Sequence, residues 1–249
     1  VDKIEDAGAG DYLRHMPPQR AGASVGFHLL NRGKRSAIVD LKQPAGRQAF
    51  ERLLARYDVL YEQFRPGVMD RLGLGHSSLR VRFPRLIVCA LTGYGQTGPL
   101  AGRAGHDLNY LARAGLLGTQ GPATGAPQVP GFQLADVSGA LWSVIAILAA
   151  LRERDRTGEG AVLDIAMTDG VLGFASLSLT AALAGEPGGR GDETLTGGVA
   201  PYQCYLSKDG LPLTLASLEP KFWLTFSAAV GLPIDATALV PGPHQGEIK

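Results

Sequence analysis

The alternation of strand and helix signals along the first part of the chain most constrains its fold. Strand-like runs at residues 36–41 (SAIVDL), 58–62 (DVLYE) and 85–91 (RLIVCAL) are separated by helical patterns at residues 45–57 and 66–72. Short connections between alternating strands and helices are typical of a parallel, doubly wound sheet. The sequence therefore predicts an α/β fold.

A glycine-rich segment follows the third of these strands. Residues 93–105 hold five glycines and one proline, a composition that favours a loop. In open α/β sheets, ligands bind beyond the carboxyl ends of the strands. We therefore expect a ligand site beside this loop.

Beyond this loop the α/β pattern continues and then gives way to antiparallel strands. The patterns predict helices at residues 106–114, 138–154 and 168–183, a strand at residues 161–166, and a loop at residues 118–131. Residues 185–198 contain six glycines and one proline, which indicates a hinge. Two strand patterns at residues 201–206 and 211–217 then flank Lys208-Asp209-Gly210, a hairpin signal. We predict a large domain at residues 1–184 and the start of a smaller α+β domain at residues 185–249.

Composition restricts the class of protein. Hydrophobic residues make up 45% and charged residues 19% of the 249 residues, a globular balance without a disorder signature. The formal charge of +1 argues against a nucleic-acid partner, which usually requires a clustered basic excess. Cys89 and Cys204 are too few for a disulfide framework or a structural zinc site, so we expect a cytoplasmic protein. Residues 140–151, the longest apolar stretch, are too short to cross a membrane and predict a buried helix.

Three ionisable residues are candidates for acid–base chemistry, and each has a structural alternative. His106, followed by Asp107 and Asn109, also fits a cluster that caps a helix. Asp136 directly precedes the long apolar helix, where it would be the N-cap. A carboxylate held there would lie beside free N–H groups that also stabilise an incoming anion. Glu219, in a Leu-Glu-Pro sequence, is by default a surface glutamate that starts a helix.

Two groups of basic residues suit a ligand that carries several phosphates. Arg65 and Arg71 flank the predicted helix at residues 66–72, and the segment Arg32-Gly33-Lys34-Arg35 forms a second group. Arginine is a planar, permanently charged donor to phosphate, although either group could also be simply solvated. The sequence lacks the glycine-rich motifs of nucleotide hydrolysis and dinucleotide binding, the G-x-S-x-G elbow and a metal-binding histidine pair.

Seven segments, in order along the chain, form a set of motifs. They are residues 31–42 (NRGKRSAIVDLK), 64–73 (FRPGVMDRLG), 84–98 (PRLIVCALTGYGQTG), 105–110 (GHDLNY), 134–139 (LADVSG), 158–170 (GEGAVLDIAMTDG) and 218–222 (LEPKF). Together they resemble the motifs of the class III CoA-transferase/α-methylacyl-CoA racemase family (CaiB/BaiF type). One motif would be a weak indication, whereas seven in order are a strong one. The resemblance implies a Rossmann-like large domain that binds CoA, a small domain, and two identical subunits interlocked as rings.

The resemblance also implies roles for the three acid–base candidates. In the racemases of the family, residues matching His106 and Asp136 exchange the α-proton of a 2-methylacyl-CoA, and a residue matching Glu219 supports the histidine. In the transferases, the aspartate matching Asp136 attacks the donor thioester. The histidine of the GHDLNY motif and the glutamate of the LEP motif resemble the racemase branch. We further expect the helix after Asp136 to direct N–H groups at the enolate oxygen.

For CoA itself, the resemblance implies contacts from two arginines and two loop segments. Arg65 and Arg71 match residues that hold the diphosphate and the 3′-phosphate. The residues that match segments lining the CoA and thioester path are Val39, Asp40, Leu41, Lys42, Gly105, Asp107, Leu108, Asn109 and Tyr110. No cofactor is implied beyond the CoA of the substrate. An inactive CoA-binding relative remains an alternative.

Some features depart from the family pattern. Asp6 stands where the family often has an arginine, which puts one adenine or phosphate contact in doubt. Residues 1–5 (VDKIE) look like the middle of a strand, and the small domain stops short of the family's length at Lys249. We therefore expect that further chain belongs at both ends.

Overall fold

A computed structural model of the chain describes residues 1–232 and 236–245. The strands are β1 (Asp2–Glu5), β2 (Gln19–Arg20), β3 (Ala23–Ser24), β4 (Arg35–Ile38), β5 (Val59–Glu62), β6 (Ile87–Thr92), β7 (Val162–Ala166), β8 (Tyr202–Leu206) and β9 (Pro212–Ala216). The helices are α1 (Val25–Leu30), α2 (Pro44–Leu54), α3 (Val68–Arg71), α4 (His76–Arg82), α5 (Asp107–Arg113), α6 (Leu134–Thr157), α7 (Met167–Leu172), α8 (Ser176–Leu183) and α9 (Pro220–Val230). Residues 233–235 and 246–249 of the predicted smaller domain lie outside the described residues.

The chain divides into two compact units, each made of two stretches of sequence. The first comprises Val1–Ala90 and Val144–Asp164, and the second comprises Leu91–Ser143 and Ile165–Lys249. This division by compactness does not test the predicted domain boundary after residue 184, which stays a prediction.

The first unit contains parallel strands, as the alternating pattern predicts. β1 pairs in parallel with β4, and β5 pairs in parallel with β6, with β7 on the other side of β6. The strand at residues 35–38 thus pairs with the opening strand rather than with β5, so β1 and β4 form one sheet and β5, β6 and β7 form another. β6 is buried along its whole length, which explains why its sequence is an unbroken apolar run.

The core of the first unit lies between its helices and β6. Its buried side chains are Phe50, Leu54, Met69, Leu74, Leu79, Leu86 and Val88. The helix at residues 76–82, which the sequence pattern did not predict, contributes Leu79 to this core. The predicted helix at residues 66–72 begins at Val68, because Gly67 caps it with a left-handed backbone (φ 78°).

A buried carboxylate stabilises the start of the first unit. Glu5 at the end of β1 accepts two hydrogen bonds from the guanidinium of Arg14, each 2.8 Å, and one of 2.6 Å from the hydroxyl of Ser36. These contacts, the Arg14 bonds above all, hold the pKa of Glu5 well below its usual range although burial opposes them. Because Ser36 belongs to β4, the network joins both strands of this sheet.

The second unit has its own apolar core and the predicted hairpin. Its buried core side chains are Tyr110, Leu111, Leu116, Ala135, Val171 and Ala175. β8 and β9 pair antiparallel, and Gly210 in the turn between them has a left-handed backbone (φ 81°). The predicted helix at residues 168–183 is instead α7, a single turn of 3₁₀ helix and α8.

The long helix α6 differs most from its prediction. It spans Leu134–Thr157 rather than residues 138–154, and only 22% of its most apolar stretch is buried. Leu141, Val144 and Leu148 are 56%, 56% and 61% exposed. The prediction of a buried helix is therefore wrong for the described chain, because an apolar sequence does not reveal what covers it. By length and composition α6 could span a membrane, but core helices of soluble proteins meet the same two criteria. The predicted lack of a membrane partner stays a prediction.

Candidate active site

His106 ends the glycine-rich loop and is the N-cap of α5. Its backbone N–H donates to Oδ1 of Asn109 at 3.0 Å, and its carbonyl accepts from the N–H of Asn109 at 2.8 Å. The capping role that the sequence offered as an alternative is thus present in the backbone. The residue is exposed, so capping does not prevent its imidazole from meeting a substrate.

Tyr110 supports this loop from the inside. Its hydroxyl donates to the carbonyl of Gly105 at 2.6 Å, and its ring packs edge-on against Tyr94, with centroids 5.1 Å apart. A Cβ atom at Gly93 would lie 2.2 Å from the Tyr110 ring, and one at Gly105 would lie 2.7 Å from it. Glycine is therefore required at both ends of the loop that leads to His106. The predicted contact of Tyr110 with CoA stays a prediction.

Asp107 joins the start of α5 to the start of α6. Its Oδ1 accepts hydrogen bonds from the backbone N–H groups of Ala135, at 2.6 Å, and Asp136, at 3.0 Å. A carboxylate at a helix N-terminus satisfies donors that have no partner within the helix and interacts favourably with the helix dipole. Asp107 therefore caps α6 from a distant point in the sequence, a role that the sequence did not predict. Its contact with CoA also stays a prediction.

Asp136 lies in the first turn of α6 and is not its N-cap. The helix begins two residues earlier, at Leu134, because Asp107 supplies the capping carboxylate. Partial burial raises the pKa of the Asp136 carboxyl, and the charge of Asp107 raises it further, while His106 acts in the opposite direction. Asp136, Asp107 and His106 therefore lie within electrostatic reach of one another.

The first turn of α6 does not offer the N–H groups that we expected to meet an enolate oxygen. The N–H groups of Ala135 and Asp136 donate to Asp107, and that of Val137 donates to the carbonyl of Gln133 at 3.0 Å. That expectation is wrong for these three donors, because Asp107 already accepts from two of them and the Gln133 carbonyl accepts from the third.

Glu219 stands at the N-cap of α9, as its default reading predicts. Its carbonyl accepts from the N–H groups of Phe222, at 2.9 Å, and Trp223, at 3.1 Å. The residue is exposed, and among the described residues its carboxylate makes no hydrogen bond or ion pair. Among the described residues of a single chain, therefore, no contact supports its predicted role beside His106.

The candidate phosphate-binding arginines belong to the first unit. Arg65 lies in the loop after β5, and Arg71 is the last residue of α3. Both are exposed, and within residues 1–232 and 236–245 neither guanidinium forms an ion pair. Their exposed charges suit phosphate binding, which the structure leaves as a prediction.

The segment of Val39, Asp40, Leu41 and Lys42 connects β4 to α2. Oδ1 of Asp40 accepts from the N–H of Lys42 at 2.9 Å, and the Arg47 guanidinium donates to the Lys42 carbonyl at 2.8 Å. Lys42 itself is exposed. Its segment and Arg65 thus lie in the first unit, whereas residues 105–110 lie in the second.

Sequence reasoning missed a pair of ionisable residues in the first unit. Nε2 of His76 lies 2.9 Å from Oε1 of Glu62, and the Glu62 side chain is 4% exposed. The only sequence signal was a glutamate that ends an apolar strand. Among the described residues, no group of three or more His, Cys, Asp or Glu side chains is arranged to hold a metal ion.

The fold and the site define an α/β protein with a histidine and two aspartates gathered where two helices begin. The model of CoA-transferase family III matches residues 1–241, and the chain belongs to this family. The resemblance inferred from the seven segments is thereby confirmed.

Curated relatives include both racemases and transferases. The chain is 40% identical over 218 residues to the α-methylacyl-CoA racemase of Homo sapiens, covering 87% of the chain and 57% of the relative. It is 35% identical over 223 residues to the succinyl-CoA:glutarate CoA-transferase of Homo sapiens, covering 89% of the chain and 51% of the relative. It is 41% identical over 178 residues to the acetyl-CoA:oxalate CoA-transferase of Acetobacter aceti, covering 71% and 46%. The chain thus spans about half the length of these relatives, and their identities do not favour one reaction.

Solved structures show the same fold. A CaiB/BaiF family protein from Brucella suis matches with a TM-score of 0.84 and 32% identity, covering 100% of this chain and 67% of that one. The hypothetical protein Rv3272 from Mycobacterium tuberculosis matches with a TM-score of 0.80 and 32% identity, covering 99% and 64%.

Proposed function

We propose that the protein racemises 2-methylacyl-CoA thioesters by exchange of the α-proton between two bases, His106 and Asp136. The observation that carries this proposal is the gathering of both groups where α5 and α6 begin, with Asp107 bonded between the two helices. A racemase needs one proton carrier for each face of the α-carbon. A histidine and an aspartate within electrostatic reach meet that need.

The two groups suit their proposed roles chemically. A proton next to a thioester carbonyl can be removed when a base is aimed at it and the enolate is stabilised. The neutral imidazole of His106 is such a base, while a protonated Asp136 returns a proton to the opposite face. Because its pKa is raised, Asp136 holds that proton more readily than an ordinary aspartate. In the reverse direction the two residues exchange roles.

We propose that each unit supplies its own groups for CoA or its acyl chain. Arg65 and Arg71 would bind phosphates, since their guanidinium groups are exposed and make no ion pair among the described residues. Leu108, which follows the acidic cap Asp107, is 39% exposed and offers an apolar surface to an acyl chain. CoA enters as part of the substrate, and no other cofactor is proposed.

We also propose that two copies form the interlocked dimer of large and small domains that the resemblance implies. The exposed apolar side chains of α6, including Leu141, Val144 and Leu148, are surfaces that a second copy would bury. Glu219, whose carboxylate has no partner among the described residues of its own chain, would then reach His106 from the second copy. A cytoplasmic location and the lack of nucleic-acid and membrane partners remain predictions.

A CoA-transferase is the second candidate. Two transferases are among the relatives, at 35% and 41% identity, so the same aspartate could serve that reaction. In this reaction the Asp136 carboxylate would attack the donor thioester, forming an acyl-aspartyl anhydride and releasing CoA thiolate. The thiolate would then attack the aspartyl carbonyl, giving an aspartyl-CoA thioester and the free acid of the donor.

One pair of assays separates the two reactions. Incubation with 2-methylacyl-CoA in D2O should introduce one deuterium at the α-carbon, detected by mass spectrometry, without a covalent intermediate. Incubation with acyl-CoA and hydroxylamine should leave Asp136 unmodified, as judged by peptide mapping. An aspartyl hydroxamate at Asp136 without α-deuteration would instead establish the transferase.

A further inference from the structure

A buried pair of ionisable residues flanks the segment that carries both candidate phosphate-binding arginines. Glu62 ends β5 and His76 begins α4, and their side chains meet at 2.9 Å. Arg65 and Arg71 both lie between them in the sequence. The side chains of the pair are 4% and 17% exposed, so water contributes little to their solvation.

The same glutamate also fixes the backbone next to Arg65. While Oε1 of Glu62 meets His76, Oε2 accepts the N–H of Phe64 at 2.7 Å. At the other end of the segment, the N–H of Leu74 donates to the carbonyl of Met69 at 2.8 Å. Glu62 is therefore bonded both to the start of the segment and, through His76, to the helix that follows it.

The charges around His76 favour its protonated form. The hydrogen bond with Glu62 raises the pKa of His76 from its ordinary value of 6.5, burial opposes this, and the charges of Glu62, Asp70 and Asp164 add to the increase. These acidic groups belong to β5, α3 and β7. Protonated His76 compensates the buried charge of Glu62, whereas a neutral imidazole would leave that charge with a weaker partner.

We propose that Glu62 and His76 are positioning residues for CoA binding, whose ion pair holds residues 63–75 in the conformation that presents Arg65 and Arg71 to the phosphates. This inference rests on the proposed function, since it assigns CoA phosphates to the two arginines. Loss of the proton from His76 weakens the pair, loosens the segment and lowers the affinity for CoA. If the ion pair only stabilised the fold, its loss would change thermal stability, but CoA affinity would not depend on the charge of His76.

Calorimetric titration with CoA between about pH 6 and pH 9 tests the inference. Affinity of the unmodified protein should fall about three- to tenfold as His76 loses its proton. At the lower pH, the variant His76→Asn should bind CoA about three- to tenfold more weakly than the unmodified protein. Its affinity should not fall further as the pH rises. The matched control His15→Asn, at an exposed position, should follow the unmodified protein. Ionisation of the 3′-phosphate near pH 6 acts in the opposite direction and is common to every variant, so the ratio of affinities isolates His76.

A second variant keeps the test decisive if His76→Asn folds poorly. Glu62→Gln retains an oxygen that can accept the N–H of Phe64 but removes the charge. The NMR titration of His76 should therefore move to lower pH, and CoA affinity should lose its dependence on that titration. CoA affinity that titrates as before in a folded Glu62→Gln variant would overturn the inference.

Amide exchange without CoA separates this inference from the proposed function. Amides in residues 63–75 should exchange faster once His76 is neutral, and at all these pH values in Glu62→Gln. If the protein bound no CoA, the proposed function would fail. If the exchange rate of these amides did not depend on the charge of His76, the positioning role would be overturned even if CoA bound.

Discussion

The carboxylate of Asp107 accepts the backbone N–H of Asp136 at 3.0 Å, which fixes the start of α6 against the start of α5. Asp107 follows His106 directly in the sequence. One side chain therefore determines how the two proposed proton carriers are placed, and its negative charge acts on the pKa of Asp136.

Replacement of Asp107 should change both the helix cap and the pH dependence of catalysis. Without its charge, the raised pKa of Asp136 should fall, so the acidic limb of the kcat/KM profile should move to lower pH in Asp107→Asn. Asp107→Ala should also lower the free energy of unfolding by about 1 kcal/mol, since two helix N–H groups lose their acceptor. The exposed Asp155→Asn, in the last turns of α6, is the control for both measurements. An unchanged profile in Asp107→Asn would show that the two carboxylates are not coupled.

Arg65 should contribute to binding more than to chemistry. We expect Arg65→Ala to raise KM for acyl-CoA roughly tenfold and to change kcat little, because phosphate contacts are the same in ground and transition states. The exposed Arg152→Ala is the control. Repeating the assay with 3′-dephospho-CoA thioesters shows which phosphate Arg65 contacts. A variant that lost kcat at unchanged KM would exclude this role.

Glu5 should protect the first unit against acid. The pKa of Glu5 is lowered in the folded protein, so its stabilising contribution is present above the unfolded pKa near 4.5 and is lost as pH falls toward the folded value. At neutral pH, Glu5→Gln should lower the melting temperature by roughly 4–8 °C. The exposed Glu186→Gln should melt like the unmodified protein. Differential scanning calorimetry at pH 7 and pH 4 checks this prediction, and the difference between protein and variant should shrink at the lower pH.

The exposed face of α6 should mediate self-association. Leu148→Asp places a charge on this face and should shift the protein from dimer toward monomer in sedimentation measurements. Val81→Asp, on the exposed side of α4, should leave the association unchanged. Sedimentation of the unmodified protein as a monomer at all concentrations would contradict the proposed dimer.

Local patterns predicted the elements of this fold better than the contacts between them. The apolar run at residues 85–91 predicted β6 because a strand buried on both faces needs no polar positions. The glycines of the following loop predicted an irregular segment, and the structure shows why two of them make room for Tyr110. The position of His106 at the start of α5 followed from the same local reasoning.

Long-range side-chain contacts were beyond this reasoning. Asp107 caps a helix that begins 27 residues later (107 to 134), so the helix start and the position of Asp136 in its first turn could not be read from neighbouring residues. The pairing of Glu62 with His76 likewise depends on where β5 and α4 meet. The exposure of α6 depends on which other parts of the structure cover it, and composition does not reveal those contacts.

Two-base racemisation requires His106 and Asp136 to serve opposite faces of one α-carbon, and deuterium exchange with separate enantiomers tests this directly. With (R)- and (S)-2-methylacyl-CoA in D2O, the unmodified protein should label both and interconvert them. We predict that His106→Gln and Asp136→Asn each abolish interconversion, lowering its rate by about 10²-fold or more, with CoA affinity nearly unchanged in His106→Gln. Interconversion at the unmodified rate in His106→Gln would contradict the two-base mechanism.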